Sequence, residues 1–177
     1  AIDRGRDAEA LRALDRQLAA EPDSAPAHAL RAGVLERAGR DAEAAREHEA
    51  GVRTSSDPGI EQYLAWSHAL AHGGQTDAAL KVLDEALGRY GPVVSLEHPA
   101  IELLVSAQRW DAALLRIDDM LKRPGPRETL LARRGEILRA AGRADEARQS
   151  YADALAAWSA LTPRMRATPA MQALRTR

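Results

Sequence analysis

Cysteine and phenylalanine are absent from this chain of 177 residues, aromatic residues reach only 3%, and the only lysines are Lys81 and Lys122. Without cysteine there can be no disulfide, no thiolate nucleophile and no Cys-ligated zinc or iron–sulfur site. That absence is compatible with the cytoplasm and equally with a periplasmic or secreted location. No apolar run approaches the roughly 20 residues that cross a bilayer, so no membrane span is expected. A Gly-rich phosphate loop is missing, as is any Ser, His and Asp signature in a strand-turn-helix setting. Acidic pairs such as Asp118–Asp119 and Asp84–Glu85 are adjacent in sequence, so they point to different sides of a helix and cannot form a facing catalytic dyad. The expectation is a chain with no catalysis and no cofactor.

What is present is ordinary globular composition: 45% hydrophobic residues, 29% charged residues and a formal net charge of -1. The length suits one domain with a real core or a short array of repeats. Charge is unevenly spread. Residues 1–60 hold 9 basic and 12 acidic side chains, residues 61–120 hold 4 and 9, and residues 121–177 hold 12 and 5. The basic final third, with Arg133, Arg134, Arg139, Arg143 and Arg148, raises nucleic acid as a partner. The positive charge is not interleaved with aromatics and the whole chain is slightly acidic, so the pattern does not favour that partner.

Internal periodicity organises the rest. Five segments align, beginning at Gly5, Gly39, Gly74, Gln108 and Gly142, with spacings of 34, 35, 34 and 34 residues, the extra residue falling in the Gly73–Gly74 pair. An Ala lies five places after each start: Ala10, Ala44, Ala79, Ala113 and Ala147. Each segment reads as a helix-turn-helix corner. The Gly supplies the left-handed residue that ends one helix, and Asp77, Asp111 and Asp145 enter the positively polarised first turn of the next. The small Ala marks where the second helix passes close to its neighbour, since a larger side chain would push the axes apart.

Apolar residues recur at helical spacing after each corner, as in Leu11, Leu14, Leu18 and in Leu114, Ile117, Leu121, and before each corner, as in Leu30, Val34, Leu35 and in Leu131, Ile137, Leu138. Pro- and Gly-rich turns near Pro22, Pro58, Pro92 and Pro124 separate the units. The pattern predicts helices at about 7–20, 26–38, 41–53, 59–72, 76–89, 97–107, 110–122, 127–140 and 144–160, with no strand. Pro99 predicts an irregular start to the sixth helix. Trp66, Trp110, Trp158 and Tyr151 read as packing residues.

With its 34-residue corner, the chain resembles the tetratricopeptide repeat family, whose unit is a helical hairpin. The corner Gly and following Ala match best. Ala32 and Gly135 fall at the small position of the first helix, Leu35 and Leu138 at the large apolar one, Ala86 and Ala154 at a later small position, and Pro22 at the terminal Pro. The fourth repeat departs, with Ile101 at the small position and Gln108 for Gly. The resemblance implies an all-α, right-handed superhelix of about four to five hairpins over residues 1–162, with repeats near 5–22, 25–56, 59–91, 95–124 and 127–160. In that register the first helix lacks a partner, and the non-Met start agrees with upstream sequence removed by signal peptidase or by cloning. Residues 163–177, with Thr162–Pro163 and Thr168–Pro169 as cap signals, read as a capping segment ending in a short helix over 169–175.

In the family, the concave face lined by first helices commonly binds a peptide or a helix of another protein, which makes a protein or peptide the expected partner. Carried over by position, that face comprises Glu36, Arg37, Leu64, His68, His72, His98, Glu102, Ala132, Glu136 and Arg139. It is polar and of mixed charge, with Leu64 and Trp66 as a small apolar centre. Arg37 and Arg139 suit bidentate carboxylate recognition, because a planar guanidinium matches a carboxylate fork. The family's carboxylate-clamp pattern of Lys, Asn and Arg is absent, so chaperone C-terminal tails are not expected. The alternative is a divalent-metal site. His68 and His72 are four apart, as are His98 and Glu102, and the four would face one groove and could hold zinc. His28 and His48 have no such company and read as structural or exposed.

Overall fold

The computed structural model describes residues 2–125 and 127–161, and side chains from residue 5 onward. The cap signals near residues 162–169 and the short helix expected over 169–175 lie outside the described residues. Among the described residues there are nine helices and no strand: α1 (Ile2–Ala20), α2 (Ala25–Arg37), α3 (Asp41–Thr54), α4 (Ile60–His72), α5 (Thr76–Tyr90), α6 (Val94–Ser106), α7 (Trp110–Leu121), α8 (Arg127–Ala140) and α9 (Ala144–Ala160). The chain divides into two compact units, Ala1–Leu103 and Leu104–Arg177.

The corners carry the fold. Gly39, Gly74 and Gly142 have φ between 70° and 77°, and Gln108 takes the same left-handed conformation at φ 56°. In all four the next residue donates its N–H five residues back: Arg40 to Leu35, Gln75 to Leu70, Arg109 to Leu104 and Arg143 to Leu138, at 2.8–2.9 Å. This six-to-one bond closes a Schellman-type helix end. The carbonyl of that same residue then accepts the first bond of the following helix, from Ala44, Ala79, Ala113 or Ala147. One residue thus ends one helix and begins the next.

Those four alanines are buried, three at 0% exposure and Ala147 at 3%, as the close crossing requires. Ala10 is only half-buried, in a small cluster where Leu14 meets Ala27 and Val34. In the first unit α1 packs on α2, α2 on α3, α3 on α4 and α4 on α5; in the second, α7 packs on α8 and α8 on α9. The first core is built from Leu35, Val52, Tyr63, Trp66, Leu80 and Leu83, the second from Leu104, Leu114, Ile117, Ile137 and Leu138. No described helix is long and apolar enough to cross a membrane.

Several expectations change in detail. Helix α1 begins at Ile2 rather than near residue 7. Helix α6 begins at Val94 rather than near residue 97 and runs through Pro99. The proline removes one bond, the one its N–H would have given to the carbonyl of Ser95, and the helix carries that loss. Leu30 is 62% exposed, so the apolar face of α2 is narrower than its spacing suggests. Trp110, Tyr151 and Trp158 are half-buried, whereas Trp66 is buried.

Tyr151 nonetheless sets a hard limit on its neighbour. A Cβ added to Gly135 would lie 2.6 Å from Tyr151 Cε1, so the small position of α8 needs glycine while α2 accommodates Ala32. In a helix Gly→Ala ordinarily stabilises by about 1 kcal/mol. Here Gly135→Ala is expected to destabilise by about 1–3 kcal/mol in chemical denaturation, and to stabilise once Tyr151→Ala has removed the ring. Gln108 gives a second test. Its left-handed backbone costs a non-glycine residue about 1 kcal/mol, so Gln108→Gly should raise stability by about that amount, whereas Gly74→Ala should lower it.

Candidate functional site

The ten positions assigned to the binding face stand on α2, α4, α6 and α8. Arg37, His68, His72, His98 and Arg139 are exposed; Glu36, Leu64, Glu102, Ala132 and Glu136 are half-buried; none is buried. Trp66, expected to help form an apolar centre there, is buried at 6% exposure and contributes to the core instead. Leu64 alone keeps that place.

On α2, Arg37 reaches Asp7 of α1 at 3.1 Å and the carbonyl of Gly33, also at 3.1 Å. Glu36 lies 2.9 Å from Nε2 of His48 on α3. A second histidine bridges the same hairpin: Nδ1 of His28 is 2.8 Å from Glu47, and its Nε2 is 2.9 Å from the carbonyl oxygen of Pro22. Arg31 joins this group, pairing with Glu47 and, at 2.9 Å, with Asp15. His28 and His48 are therefore structural in a specific sense, each tying α3 to α2 through a carboxylate. Their partners lie on the opposite side of the Gly39 corner, a signal that antiparallel hairpin register would have supplied.

On α4 the His68 and His72 rings lie against each other, centroids 4.1 Å apart and planes tilted by 44°. On α6, His98 Nε2 lies 3.8 Å from Glu102. The four residues of the metal alternative thus form two pairs, and among the described residues no group of three or more His, Asp or Glu side chains gathers where it could hold a metal ion. An open cleft of about 480 Å³ lies elsewhere, between the start of α2 and the α3–α4 connection, lined by Asp23, Ser24, Pro26, Thr54, Ser55 and Gln62. None of the assigned residues borders it.

In the second unit, Glu136 accepts from Arg133 at 2.7 Å, while Arg139 is exposed and makes no ion pair among the described residues. The neighbouring arginines are engaged: Arg134 with Asp118 at 2.8 Å, Arg143 with Asp111 at 3.0 Å and Glu146 at 2.7 Å, and Arg148 with Asp145. Arg143 donates to Glu146 and holds its carboxyl below the ordinary glutamate range. The basic charge of this segment is largely compensated locally, which weakens its pull on a polyanion.

One cluster has no counterpart in the sequence reading. Arg53 at the end of α3 donates to both carboxylate oxygens of Glu85 on α5, at 2.5 and 2.9 Å, and its guanidinium stacks 5.0 Å from the Trp66 ring centroid. Tyr63 donates to the same carboxylate at 3.2 Å and meets Tyr90 edge to face at 6.2 Å. Arg89 pairs with Asp57 at 2.8 Å, and the Tyr90 hydroxyl donates to the carbonyl of Pro58. The links from Arg53 to Glu85, Asp57 to Arg89, Pro58 to Tyr90 and Asp111 to Arg143 each span 32 residues, just under one repeat, so they join successive second helices and the connections beside them. The Arg53 bonds hold the Glu85 carboxyl below its usual 4.5, and burial, reinforced by Glu85, raises the Tyr63 phenol above 10.0.

A depressed carboxylate contributes stability that is present above its unfolded value and is lost as pH falls through the folded one. Glu85→Gln should therefore lower stability at pH 7, by about 0.5–1 kcal/mol for a pair this exposed. The gap from wild type should close as pH drops below about 4.5. Thermal melts from pH 7 to pH 3 check this, and a gap that stays constant would assign the loss to packing rather than charge.

A family model described as Tetratricopeptide repeat matches residues 1–59 and 99–161, more than half of the chain. No curated protein matches it. Among solved structures, MamA protein aligns with a TM-score of 0.65 at 18% identity, over 90% of this chain and 91% of its own. YrrB, described as a TPR protein with an unusual peptide-binding site, aligns with a TM-score of 0.62 at 16% identity, over 86% and 78%. A chain of the Naa15/Naa10 complex bound to HypK-THB aligns with a TM-score of 0.58 at 16% identity, over 88% of this chain and 23% of that one. Identities this low show the fold alone. The corner repeated every 34 or 35 residues, the buried alanine after each and the matching family model lead to one conclusion: the chain belongs to the tetratricopeptide repeat family.

Proposed function

We propose that this chain is a non-catalytic scaffold that binds a peptide or helical segment of a partner protein in the concave groove that members of its family line with their first helices, supplied here by α2, α4 and α6 within the first unit and, taken separately, by α8 within the second. Tetratricopeptide repeats are generally interaction modules without chemistry of their own, and members of the family bind protein partners. YrrB is described as having a peptide-binding site, and by analogy of fold that supports a peptide here.

The observation that carries the reading is the state of the ten assigned positions. None is taken up by the core, and five of them are exposed charged or imidazole side chains. Such a face recognises a partner by hydrogen bonding and charge pairing rather than by apolar burial. Arg37 and Arg139 supply planar donors for carboxylates, His68 and His72 supply rings for stacking and hydrogen bonding, and Glu36, Glu102 and Glu136 select against acidic neighbours at their own positions.

Peptides selected from a displayed library on the intact chain provide the test. Losing one charge-assisted hydrogen bond costs about 1.5–3 kcal/mol, so Arg37→Ala, Arg139→Ala or the double change His68→Ala with His72→Ala should weaken selected peptides tenfold or more in fluorescence polarisation. Peptides that bind all three variants like wild type, and lose affinity instead on Arg148→Ala at α9, would place recognition on the second helices and refute the proposal.

A further inference from the structure

The five histidines of the chain fall into two groups. His28 and His48 are bonded to Glu47 and Glu36 at 2.8 and 2.9 Å, and His98 lies 3.8 Å from Glu102. His68 and His72 pair with no carboxylate among the described residues: both are exposed, and their rings touch each other. Two exposed imidazoles one helical turn apart, with rings in contact, stand on the same side of α4 and within reach of one another.

We propose that His68 and His72 chelate one divalent transition-metal ion of the zinc, nickel and copper(II) group on the surface of α4. Residues four apart on a helix have Cβ atoms about 5–6 Å apart, and imidazole nitrogen bonds these ions at about 2.0–2.1 Å. Both rings therefore reach a single ion by turning about their own side-chain bonds, with no movement of the backbone. Imidazole is a preferred donor for this group of metals, whereas Mg²⁺ and Ca²⁺ prefer oxygen, so selectivity follows from the donors. The ring contact, with centroids at 4.1 Å, shows that the two side chains extend to the same side of the helix.

Two protein ligands leave coordination positions open to solvent, or to a carboxylate or imidazole that a partner brings. The ion also has a local structural effect. Helix α4 ends at His72, directly before the Gly73–Gly74 corner, so chelation fastens its last turn to the turn before. An ion that binds only the folded helix stabilises it by mass action. The site shares His68 and His72 with the proposed peptide-binding face, but it needs only α4 and zinc binding is measured with no peptide present, so either proposal can fail without the other.

The experiment is titration of the tag-free chain with ZnCl₂, followed by calorimetry and by imidazole nitrogen–proton NMR spectra. One equivalent is expected to bind and to move the His68 and His72 resonances while those of His28, His48 and His98 stay in place. Chelation gains on the order of a hundredfold over a single ligand, so His68→Gln and His72→Gln should each weaken binding by about that factor. His98→Gln should leave it unchanged. Both glutamines suit an exposed helical position, and circular dichroism confirms that the variants are folded. The proposal is overturned if wild type binds no zinc, if both Gln variants bind as wild type does, or if the shifts fall on His28, His48 or His98 instead.

Discussion

Each hairpin depends on a backbone hydrogen bond, the six-to-one link by which Arg40, Gln75, Arg109 and Arg143 reach back to Leu35, Leu70, Leu104 and Leu138. It forms only if the intervening residue is left-handed, and glycine reaches that conformation without the steric penalty that other side chains meet. Three corners use Gly, and the fourth holds Gln108 there at φ 56°. Because the donor residue is also the N-cap of the next helix, the bond sets both the end of one helix and the direction of the other. Everything packed between the two helices follows from that angle.

The second constraint is closeness. Ala44, Ala79 and Ala113 at 0% exposure occupy the crossing of adjacent helices, where any larger side chain would separate the axes and open voids along the whole interface. The same requirement appears in α8 as Gly135 under the Tyr151 ring. With the inner faces committed to small and branched apolar residues, charged and imidazole side chains remain on the outer face of the first helices. A repeated fold thus offers a repeated polar surface.

Electrostatics divides that surface into groups already engaged and groups still open. Arg53 with Glu85, Arg89 with Asp57 and Arg143 with Asp111 link neighbouring repeats at a spacing of 32 residues. These pairs are exposed enough that each contributes modestly; their recurrence aligns successive second helices. His28 and His48 do the corresponding work inside one hairpin. Arg139, His68 and His72 make no ion pair among the described residues.

The 34-residue spacing, the left-handed glycines and the buried alanines were legible in the sequence because each rests on a local rule: a backbone conformation or a side-chain volume needed at a set distance from a turn. Boundaries were less legible where local rules competed, as in α6, whose helix persists through Pro99 because the neighbouring turns outweigh one lost bond. The exposure of Leu30, the burial of Trp66 beneath Arg53, the pairing of His28 with Glu47 and the division of His68, His72, His98 and Glu102 into two pairs were decided only by the tertiary structure. The physical reason is range. A turn or a helix face is determined by residues within about one or two turns of chain, whereas a side chain's partner is selected by which helices come to lie beside it, and that depends on the packing of the whole unit.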